Sequence, residues 1–550
     1  MKKILFAVFA AAALFAGCTK EDGDGAALSA DFTISSNPCY AGDPVLFTAK
    51  VSGGQSPYTY EWAIQGTKYT DSNVTHIFKT NGTASVKLTV KDASGTVVQR
   101  TKVLVINPAQ VAETGEITLN WVGVMDGYNT IAAPAVADDG SVYAVTDIEK
   151  LYKFNSSGEK VWEKVVLTDN AGDSRMNATP SIDTDGTIYV AGGSTSGLAT
   201  VVAYNPDGTR KWTFTDFWNR GDAHKANITG GFVGIGDQNV YMGNTGLSGS
   251  VLAISKTDGK RKGHVMEGSY GPSGGARAGI VISKEGYLHW YAGYYGLWGA
   301  LQSGVDNAGD NGYTYAWHLY GVDETMSETT SHSSIGCMNV NGKSCVFGVV
   351  TDLISTKVYA ADSKTGDEVS CVRIDDTASQ DQGGVVSTEE GYIVASLNYE
   401  LGKANGGIIF IDPATSTVKA RYSVQEKVSG SAAVDAAGNV HFFTESGYYY
   451  VVKPDYTSGQ CELKVKREIA TVIISDPRYS SHEKLSSILF AKFWCSAVIG
   501  DDGKIYCCFT DEFTREFGGV ICLSYADCEG PSNSDWPMIG QNRRHTNRQK

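Results

Sequence analysis

The sequence has few positive charges, few prolines and no apolar run long enough to span a membrane comfortably. It contains 46 Lys and Arg against 60 Asp and Glu, which gives a formal net charge of −14 over 550 residues. Nucleic-acid binding depends on clustered Lys and Arg, so this charge argues against a nucleic-acid partner. Proline occurs 13 times and glycine 63 times, a composition that favours a chain with many tight turns.

The first residues have the pattern of an exported protein. Lys2 and Lys3 precede an apolar run at residues 4–16, which is too short to span a membrane comfortably. The tetrapeptide F-A-G-C that ends at Cys18 resembles a bacterial lipobox, and the resemblance implies a lipid on the thiol of Cys18. We therefore expect residues 1–17 to be a lipoprotein signal peptide. The alternative is an ordinary signal peptide with a chance cysteine.

The residues after Cys18 indicate where the anchored protein would lie. Residues 19–24 (T-K-E-D-G-D) are acidic and resemble the surface-export signal of lipoproteins from the Bacteroidota. The resemblance implies an outer-membrane lipoprotein that faces the cell exterior. We expect residues 18–29 to form a flexible tether, so that the lipid anchor is the protein's contact with the membrane.

One pattern recurs through most of the chain. Its clearest copy, residues 180–212, reads P-S-I-D-T-D-G-T-I-Y-V, then V-V-A-Y-N-P-D-G-T-R-K-W. Each Asp-Gly pair predicts a tight turn between two short strands, because glycine reaches positive φ there without a Cβ clash. Further copies begin near residues 134, 236, 279, 335, 384, 431 and 495. Their spacing of roughly 40–60 residues is around that of propeller blades. It predicts about eight four-stranded blades; since the fifth copy is irregular, seven remain an alternative.

The two ends of the repeat region look complementary. Residues 115–121 (G-E-I-T-L-N-W) match the Trp-containing end of a unit but precede the first full one. The last unit reaches residues 519–525 and lacks that strand. We therefore expect the N-terminal segment to complete the last blade, which removes two exposed sheet edges in one step.

The repeat unit resembles the pyrroloquinoline-quinone-like (PQQ-like) propeller repeat. The tail at residues 535–547 (D-W-P-M-I-G-Q-N-R-R-H-T-N) resembles the W-P-M segment, with its later H-T, that often stands beside such repeats. The resemblance covers residues 115–547. It implies a propeller fold but no particular activity, since one fold hosts many functions.

Residues 30–107 have a different pattern. Six or seven short alternating runs in about 80 residues predict an all-β sandwich. Residues 53–62 and 85–92 resemble a PKD (polycystic-kidney-disease-type, Ig-like) module, in which Trp62 would be a core residue. The chain reads A-I-Q-G after this Trp, where the family usually has a D-F-G-D-G turn. We expect a spacer domain, joined to the propeller by a linker at residues 108–114.

Several patterns invite a catalytic interpretation. A PQQ-like repeat suggests a quinone dehydrogenase, and Cys507-Cys508 resembles the adjacent cysteine pair of some quinoproteins. These two residues align with interior strand positions of other units, and adjacent strand residues point to opposite faces, which makes a bridge between them costly.

The nine histidines show no metal-ligand spacing. Ser273 in G-P-S-G-G lacks the strand and helix of a nucleophile elbow. We therefore expect no catalytic residue, no metal and no cofactor.

Aromatic residues are the clearest local excess. Residues 287–320 contain ten of them, where the average composition predicts about four. Aromatic faces stack well on the C–H surfaces of sugars. Some of these residues are expected in the blade core, but the G-Y-Y-G-L-W segment with Tyr294, Tyr295 and Trp298 has no counterpart elsewhere in the chain. Two further segments, residues 215–224 and 490–494, are candidate loops, although the second is also typical of a strand that leads into the last blade. The predicted ligand-binding residues are Trp218, Arg220, His224, Tyr294, Tyr295, Trp298, Tyr315 and Trp494.

The sequence thus predicts an all-β protein, with an Ig-like (PKD) sandwich followed by a propeller, that binds a ligand without catalysis. A glycan is the favoured ligand, held by aromatic loops on one propeller face. The alternatives are a scaffold that docks another envelope protein and a propeller polysaccharide lyase. A scaffold would leave the aromatic side chains in the core, whereas a lyase would gather His, Arg and Tyr at one mouth of the channel.

Overall fold

The structure is a computed structural model, and it divides the chain into two compact units, Met1–Val111 and Ala112–Lys550. Among the described residues, no helix combines the length and the apolar character that a membrane crossing requires. The described residues are 27–35, 39–41, 44–79, 82–107, 113–128, 132–148, 150–166, 174–175, 178–194, 199–215, 231–243, 251–266, 279–292, 296–309, 312–319, 334–351, 356–375, 383–397, 406–488, 491–511 and 516–550.

The first unit is a β-sandwich. One sheet has the order β1-β3-β6 and the other β2-β8-β7-β4-β5. Trp62 is fully buried between them, with its ring centroid 5.2 Å from that of Phe32 and 6.0 Å from that of Phe47. The core position predicted for Trp62 is therefore confirmed. The strands are β1 (Ser29–Ile34), β2 (Cys39–Tyr40), β3 (Pro44–Ser52), β4 (Thr59–Ile64), β5 (Thr67–Tyr69), β6 (Asn73–Ile77), β7 (Gly82–Lys91) and β8 (Val97–Asn107).

The second unit begins with β9 (Thr118–Asp126) and continues as a series of antiparallel sheets. Sheet 1 contains β10 (Ala135–Val136), β11 (Val142–Val145), β12 (Lys150–Phe154) and β13 (Lys160–Val165). Sheet 2 contains β14 (Ser174–Arg175), β16 (Ser181–Ile182), β17 (Ile188–Ser194), β18 (Ala199–Tyr204) and β19 (Arg210–Phe214), while β15 (Ala178–Thr179) pairs with β20 (Gly231–Phe232). Sheet 3 contains β21 (Gly234–Ile235), β22 (Asn239–Gly243), β23 (Val251–Ser255) and β24 (Arg261–Met266).

Sheets 4 and 5 follow. Sheet 4 contains β25 (Val281–Ile282), β26 (Tyr287–Ala292), β27 (Gly296–Leu301) and β29 (Trp317–Leu319). Helix α1 (Gln302–Asp306) and β28 (Tyr313–Thr314) lie between β27 and β29 along the chain. Strand β28 joins sheet 3 as a fifth strand. Sheet 5 contains β30 (Gly336–Val340), β31 (Lys343–Thr351), β32 (Thr356–Asp362) and β33 (Glu368–Asp375).

Three more sheets complete the unit. Sheet 6 contains β34 (Val385–Ser387), β35 (Ile393–Leu397), β36 (Gly406–Asp412) and β37 (Thr417–Val424). Sheet 7 contains β38 (Ala433–Val434), β39 (Val440–Phe443), β40 (Tyr448–Asp455) and β41 (Gln460–Glu468), followed by helix α2 (Ile469–Ser475) and a 3-10 turn (Leu485–Ser487). Sheet 8 contains β42 (Ala491–Lys492), β43 (Val498–Ile499), β44 (Lys504–Asp511), β45 (Phe517–Ser524) and β9.

The sheets surround a common axis. The short inner strands of successive sheets contact one another, as β21 does β25, β25 does β30 and β30 does β34. This is the arrangement of a propeller, so the all-β fold class predicted from the repeat is confirmed. Each inner strand leads into the tight turn of the repeat, and we call this end of the axis the turn end. The opposite end carries the connections between second and third strands and between successive sheets, and we call it the loop end.

The chain closes the ring as predicted. β9 pairs antiparallel with β45, with Thr118 opposite Ser524 and Asp126 opposite Phe517. The first strand of the unit is thus the outer strand of its last sheet. Arg478 and Tyr479 then cover the free edge of β9, because the Arg478 guanidinium donates to the Leu119 carbonyl (2.6 Å) and the Tyr479 hydroxyl accepts from the Val122 N–H (2.8 Å). Such covering removes an edge that could pair with another chain.

Tryptophans on the fourth strands lock neighbouring sheets together. In four sheets, the indole Nε1 donates to a backbone carbonyl in the turn between the third and fourth strands of the following sheet, over 2.9 to 3.3 Å. A glycine of that turn has a positive φ of 67° to 86°, and an added Cβ would lie 2.6 to 3.1 Å from the indole. This contact explains the Gly and the Trp of the repeat. The Trp–Gly pairs are Trp121–Gly158, Trp162–Gly208, Trp212–Gly259 and Trp317–Gly366.

Candidate functional site

The C-terminal segment, residues 530–549, lies across the turn end of the propeller. In six of the eight sheets, the last residue of the inner strand donates its N–H to a carbonyl of this segment, over 2.7 to 3.0 Å. The six contacts occupy the same position in each sheet. The donors are Val136, Ile182, Ile235, Ile282, Ser387 and Val434, and their acceptors are, in the same order, Arg543, Arg544, Thr546, Asn547, Trp536 and Pro537.

The two remaining sheets are bound through side chains. The Asn339 N–H of sheet 5 donates to Asp535 Oδ2 (2.7 Å), and the Arg543 guanidinium contacts Asp501 of sheet 8 (2.6 Å). The segment therefore contacts all eight sheets and covers the turn end of their common axis.

Five of the predicted ligand-binding residues lie outside the described residues, as does the predicted lipidation site Cys18. The five are Trp218, Arg220, His224, Tyr294 and Tyr295. The structure places the other three, Trp298, Tyr315 and Trp494, in two separate parts of the second unit, so it does not bring these three together.

Trp298 packs inside the fold. It lies on β27 and is 5% exposed. Its ring stacks on Trp290 (centroids 6.2 Å apart) and on His318 (4.8 Å), and it meets Tyr315 edge to face at 4.7 Å. Such aromatic pairs stabilise a core beyond the area they bury. The geometry thus gives Trp298 and Tyr315 a packing role between sheets 3 and 4.

The connection from β27 to β29 explains part of the aromatic excess. Helix α1 packs on sheet 3, where Asp306 accepts hydrogen bonds from the Tyr241 hydroxyl (2.6 Å) and from the Asn239 amide (2.8 Å). Strand β28 then pairs in parallel with β24. Tyr313 and Tyr315 of this connection pack against the buried cluster shared by the two sheets. The connection holds sheets 3 and 4 together, which the sequence pattern does not indicate.

Trp494 lies at the loop end, on the connection into sheet 8. Residues 491 and 492, just before it, form β42, which pairs with β44. For these two residues the structure therefore shows a strand, the alternative predicted for residues 490–494. The Lys492 Nζ lies 4.3 Å from the centroid of the half-buried Trp494 ring, a cation–π contact. Lys492 also lies near Glu445, at 3.8 Å. Trp494 is therefore a partly accessible aromatic residue with charged neighbours.

The sequence analysis missed a buried polar network in sheet 7. His441 Nδ1 lies 2.7 Å from the Tyr449 hydroxyl and Nε2 lies 3.0 Å from Asp435 Oδ2, and all three residues are fully buried. Burial works to raise the pKa of Asp435, but hydrogen bonds from His441 and Asn439 outweigh it, so the pKa is lowered. The signal that could have revealed it is the alignment, because His441 stands where Tyr143, Tyr189 and Tyr506 stand in sheets 1, 2 and 8.

Cys528 completes a group of possible metal ligands with Asp435 and His441, whose ligand atoms lie within 4.8 Å of one another. Both ring nitrogens of His441 already have hydrogen-bond partners. Burial and the nearby charge of Asp435 raise the pKa of the Cys528 thiol to about 12, which disfavours the thiolate that binds metals or acts as a nucleophile. The arrangement is that of a buried hydrogen-bonded core.

Cysteines in sheet 8 occupy interior positions. Cys507 and Cys508 are both buried on β44, and the Sγ of Cys495 lies 3.3 Å from that of Cys507. The interior strand position predicted for Cys507-Cys508 is confirmed. Cys337, Cys345, Cys522 and Cys528 are also buried, and none of these four forms a disulfide bond.

Comparisons with known families agree with this architecture. Residues 14–107 match the PKD domain, and residues 90–266 match a PQQ-like family described as outer membrane protein assembly factor BamB. The chain therefore carries a PKD domain followed by a PQQ-like propeller. None of the curated proteins matches the chain.

Solved structures resemble the chain in fold. The quinohemoprotein alcohol dehydrogenase ADHIIG from Pseudomonas putida HK5 has a TM-score of 0.54 at 13% identity, with 77% of this chain and 78% of that chain covered. A europium-containing methanol dehydrogenase has the same TM-score at 10% identity, with coverage of 74% and 93%. At such low identity these likenesses show the fold and carry no information on activity.

Proposed function

We propose that this protein is a non-catalytic binding protein of the cell envelope, anchored by a lipid on Cys18, that docks another envelope protein at the loop end of its propeller. The observation that carries the proposal is where the described aromatic residues lie. Trp290, Trp298 and Trp317 are at most 7% exposed. This burial is expected of a scaffold, which would leave these side chains in the core, whereas a sugar-binding platform would need exposed aromatic faces. Propellers commonly present one end of the ring to a partner.

The place of docking is inferred from the C-terminal segment. Because that segment covers the turn end through contacts with all eight sheets, the loop end is the one left for a partner on the axis. The similarity of residues 90–266 to an outer membrane assembly factor supports a role in binding proteins. The PKD domain would act as a spacer between the lipid and the propeller.

Site-specific photo-crosslinking in living cells tests the proposal. A benzoylphenylalanine is placed at Ile148 or at Ser446, which lie in loop-end turns of sheets 1 and 7. The matched controls are Ser157 and Thr457, which are exposed in turn-end turns of the same two sheets. We expect a protein adduct of defined mass from at least one loop-end position and none from the turn-end positions. Adducts only at the turn end, or at neither end, would contradict the proposal.

Glycan binding at the loop end remains a second candidate. Trp494 favours it, since its ring is half-buried with Lys492 above one face. A broad glycan array on the purified mature protein separates the two functions. A hit that is lost in Trp494→Ala, together with no protein adduct in the crosslinking experiment, would replace protein docking by glycan binding.

A further inference from the structure

The inner edge of sheet 8 has an interruption in its hydrogen-bond ladder. The short strands β42 and β43 both pair with β44, and between these two pairings residues 493–497 lie opposite residues 507–509. Five residues thus face three, so the inner stretch carries two extra residues and cannot continue the ladder, as in a β-bulge. Cys495 is the central residue of this longer stretch.

The side chain of Cys495 takes the place of the missing backbone partner. Its Sγ accepts a hydrogen bond from the Cys508 N–H at 3.2 Å and lies 3.1 Å from the Cys508 carbonyl oxygen. In an unbroken antiparallel ladder, an N–H and a carbonyl of this kind would pair with the backbone of the neighbouring strand. These two contacts hold the sulfur of Cys495 against β44.

This position brings two sulfur atoms together. The Cys495 Sγ lies 3.3 Å from the Cys507 Sγ, and both side chains are buried thiols in this structure. Carbon atoms, which are smaller than sulfur, pack at about 3.5–4.0 Å, so the two sulfurs are closer than an ordinary packing contact. A disulfide bond has a length of about 2.05 Å, which an approach of about 1.3 Å from the observed 3.3 Å would reach.

Cys507 is the partner that the contacts of Cys495 favour. Cys508 meets the Cys495 sulfur through its backbone N–H and carbonyl, whereas Cys507 meets it through its own Sγ. A bridge between Cys507 and Cys508 is disfavoured, because adjacent strand residues point to opposite faces of the sheet.

We propose that Cys495 and Cys507 are joined by a disulfide bond in the mature protein. The inference rests on the envelope location in the proposed function, because disulfides form and persist outside the reducing cytoplasm. Both residues are buried in the finished fold, so the bond forms while sheet 8 assembles.

The oxidant is a protein disulfide, of the kind that transfers disulfides to exported chains by thiol exchange. One thiolate of the pair attacks a sulfur of the oxidant, which forms a mixed disulfide and releases the other sulfur of the oxidant. The second thiolate then attacks the mixed disulfide. Two electrons and the two thiol protons pass to the oxidant, which leaves as a dithiol.

The bond would fix the connection into sheet 8. Cys495 directly follows Trp494, whose half-buried ring lies beside Lys492 at the loop end. The ladder holds this connection at β42 and again at β43, and the bridge would tie the stretch between them to β44. It would thereby help to keep Trp494 in a fixed position at the proposed docking end.

Peptide mapping of the full mature chain tests the bond. The chain is synthesised by cell-free translation in a mainly oxidised glutathione buffer, so that it folds in the presence of an oxidant. Remaining thiols are alkylated under denaturing conditions, and the chain is digested with trypsin without reduction. Trypsin places Cys495 on peptide 493–504 and Cys507 on peptide 505–515. We expect the two peptides as one linked species, with Cys508 alkylated.

Two variants accompany the wild type. Cys507→Ala should abolish the linked species and leave Cys495 alkylated. Cys508→Ala is the matched control, since it removes the neighbouring buried thiol of the same strand and should leave the linked species in place. Circular dichroism reports whether each variant folds. The wild-type map decides the question even if one does not, because fragment ions show which cysteine carries the bond.

Two results would overturn the proposal. One is a folded wild-type chain, made in the oxidised buffer, in which Cys495 and Cys507 are both alkylated. The other is a linked species whose fragment ions place the bond on Cys508. The same map on the chain recovered from cells tests the location separately. A linked species in the cell-free product, with both cysteines alkylated in cells, would support the bond and contradict the envelope location.

Discussion

Replacing Trp536 with alanine should lower the free energy of unfolding of the second unit by about 3–5 kcal/mol, the usual cost of removing a fully buried tryptophan. The side chain is 0% exposed and lies against Gly336, where an added Cβ would approach the indole to 2.9 Å. The backbone of Trp536 also exchanges two hydrogen bonds with Ser387, at 2.8 and 2.9 Å. Loss of the indole therefore loosens the C-terminal segment from sheets 5 and 6.

Chemical denaturation followed by circular dichroism measures this change. Arg548→Ala is the control within the same segment, because its ion pair with Asp237 is exposed and such pairs contribute about 0–1 kcal/mol. A Trp536→Ala variant that is no less stable than Arg548→Ala would show that the C-terminal segment does not contribute to the fold.

Trp121→Ala should have an effect of similar size, about 3–5 kcal/mol, because it removes a buried indole from the strand β9 that closes the ring. Trp121 lies on β9, is 4% exposed, and packs on Gly158 of sheet 1 with its Nε1 bonded to the Ser156 carbonyl (3.1 Å). The chain runs directly from β9 into sheet 1, so the non-covalent junction of the ring is the pairing of β9 with β45, and Trp121 also meets Tyr506 of β44 with ring centroids 6.0 Å apart.

Trp162→Ala is the matched comparison for Trp121→Ala. Trp162 makes the same contact one sheet further on, with Gly208 and the Pro206 carbonyl (3.3 Å). Its ring is only half-buried, whereas Trp121 is 4% exposed. We therefore expect a smaller loss of stability than for Trp121→Ala. If the two variants lose equal stability, the junction between sheets 8 and 1 depends on its tryptophan no more than the junction between sheets 1 and 2 does.

The parts of the fold that the sequence predicts are those with local causes. Asp-Gly turns are specified by two adjacent residues, so the copies of the repeat could be counted along the chain. Because the last copy lacks its final strand, the segment that forms β9 could be predicted to supply it. The core position of Trp62 was implied by the resemblance of residues 53–62 to a PKD module. The patterns themselves lie within one strand or one hairpin, although the pairing of β9 with β45 joins the two ends of the repeat region.

The role of the C-terminal segment could not be predicted in this way. Its backbone contacts with the inner strands join residues about 100 to 400 positions apart, as in the bond from Val434 to Pro537 or from Val136 to Arg543. Most of them use backbone carbonyls, which every residue possesses, so residue type carries little signal. The resemblance to the W-P-M segment identified this part of the chain, but it did not predict that the segment binds the turn ends of the inner strands.

The aromatic excess is a clear signal in the sequence, but it does not reveal what the residues do. Composition alone could not separate ligand contacts from packing, because tryptophan and tyrosine suit both. Trp298 and Tyr315 are used in packing because helix α1 and β28 cross from sheet 4 to sheet 3, a crossing that no other pair of sheets shows among the residues that the structure describes. Tyr294 and Tyr295 stay predictions, since they lie outside the described residues.

Hydrogen exchange of the six inner-strand amides tests the central claim most directly, namely that the C-terminal segment covers the turn end and leaves the loop end for binding. The account predicts that the N–H groups bonded to this segment exchange as slowly as those in the middle of the sheets, since each donates to a carbonyl of the segment. The amides are those of Val136, Ile182, Ile235, Ile282, Ser387 and Val434. Exchange as fast as that of the exposed turn residue Ser157 would contradict the claim, and the reason for placing a partner at the loop end would then be lost.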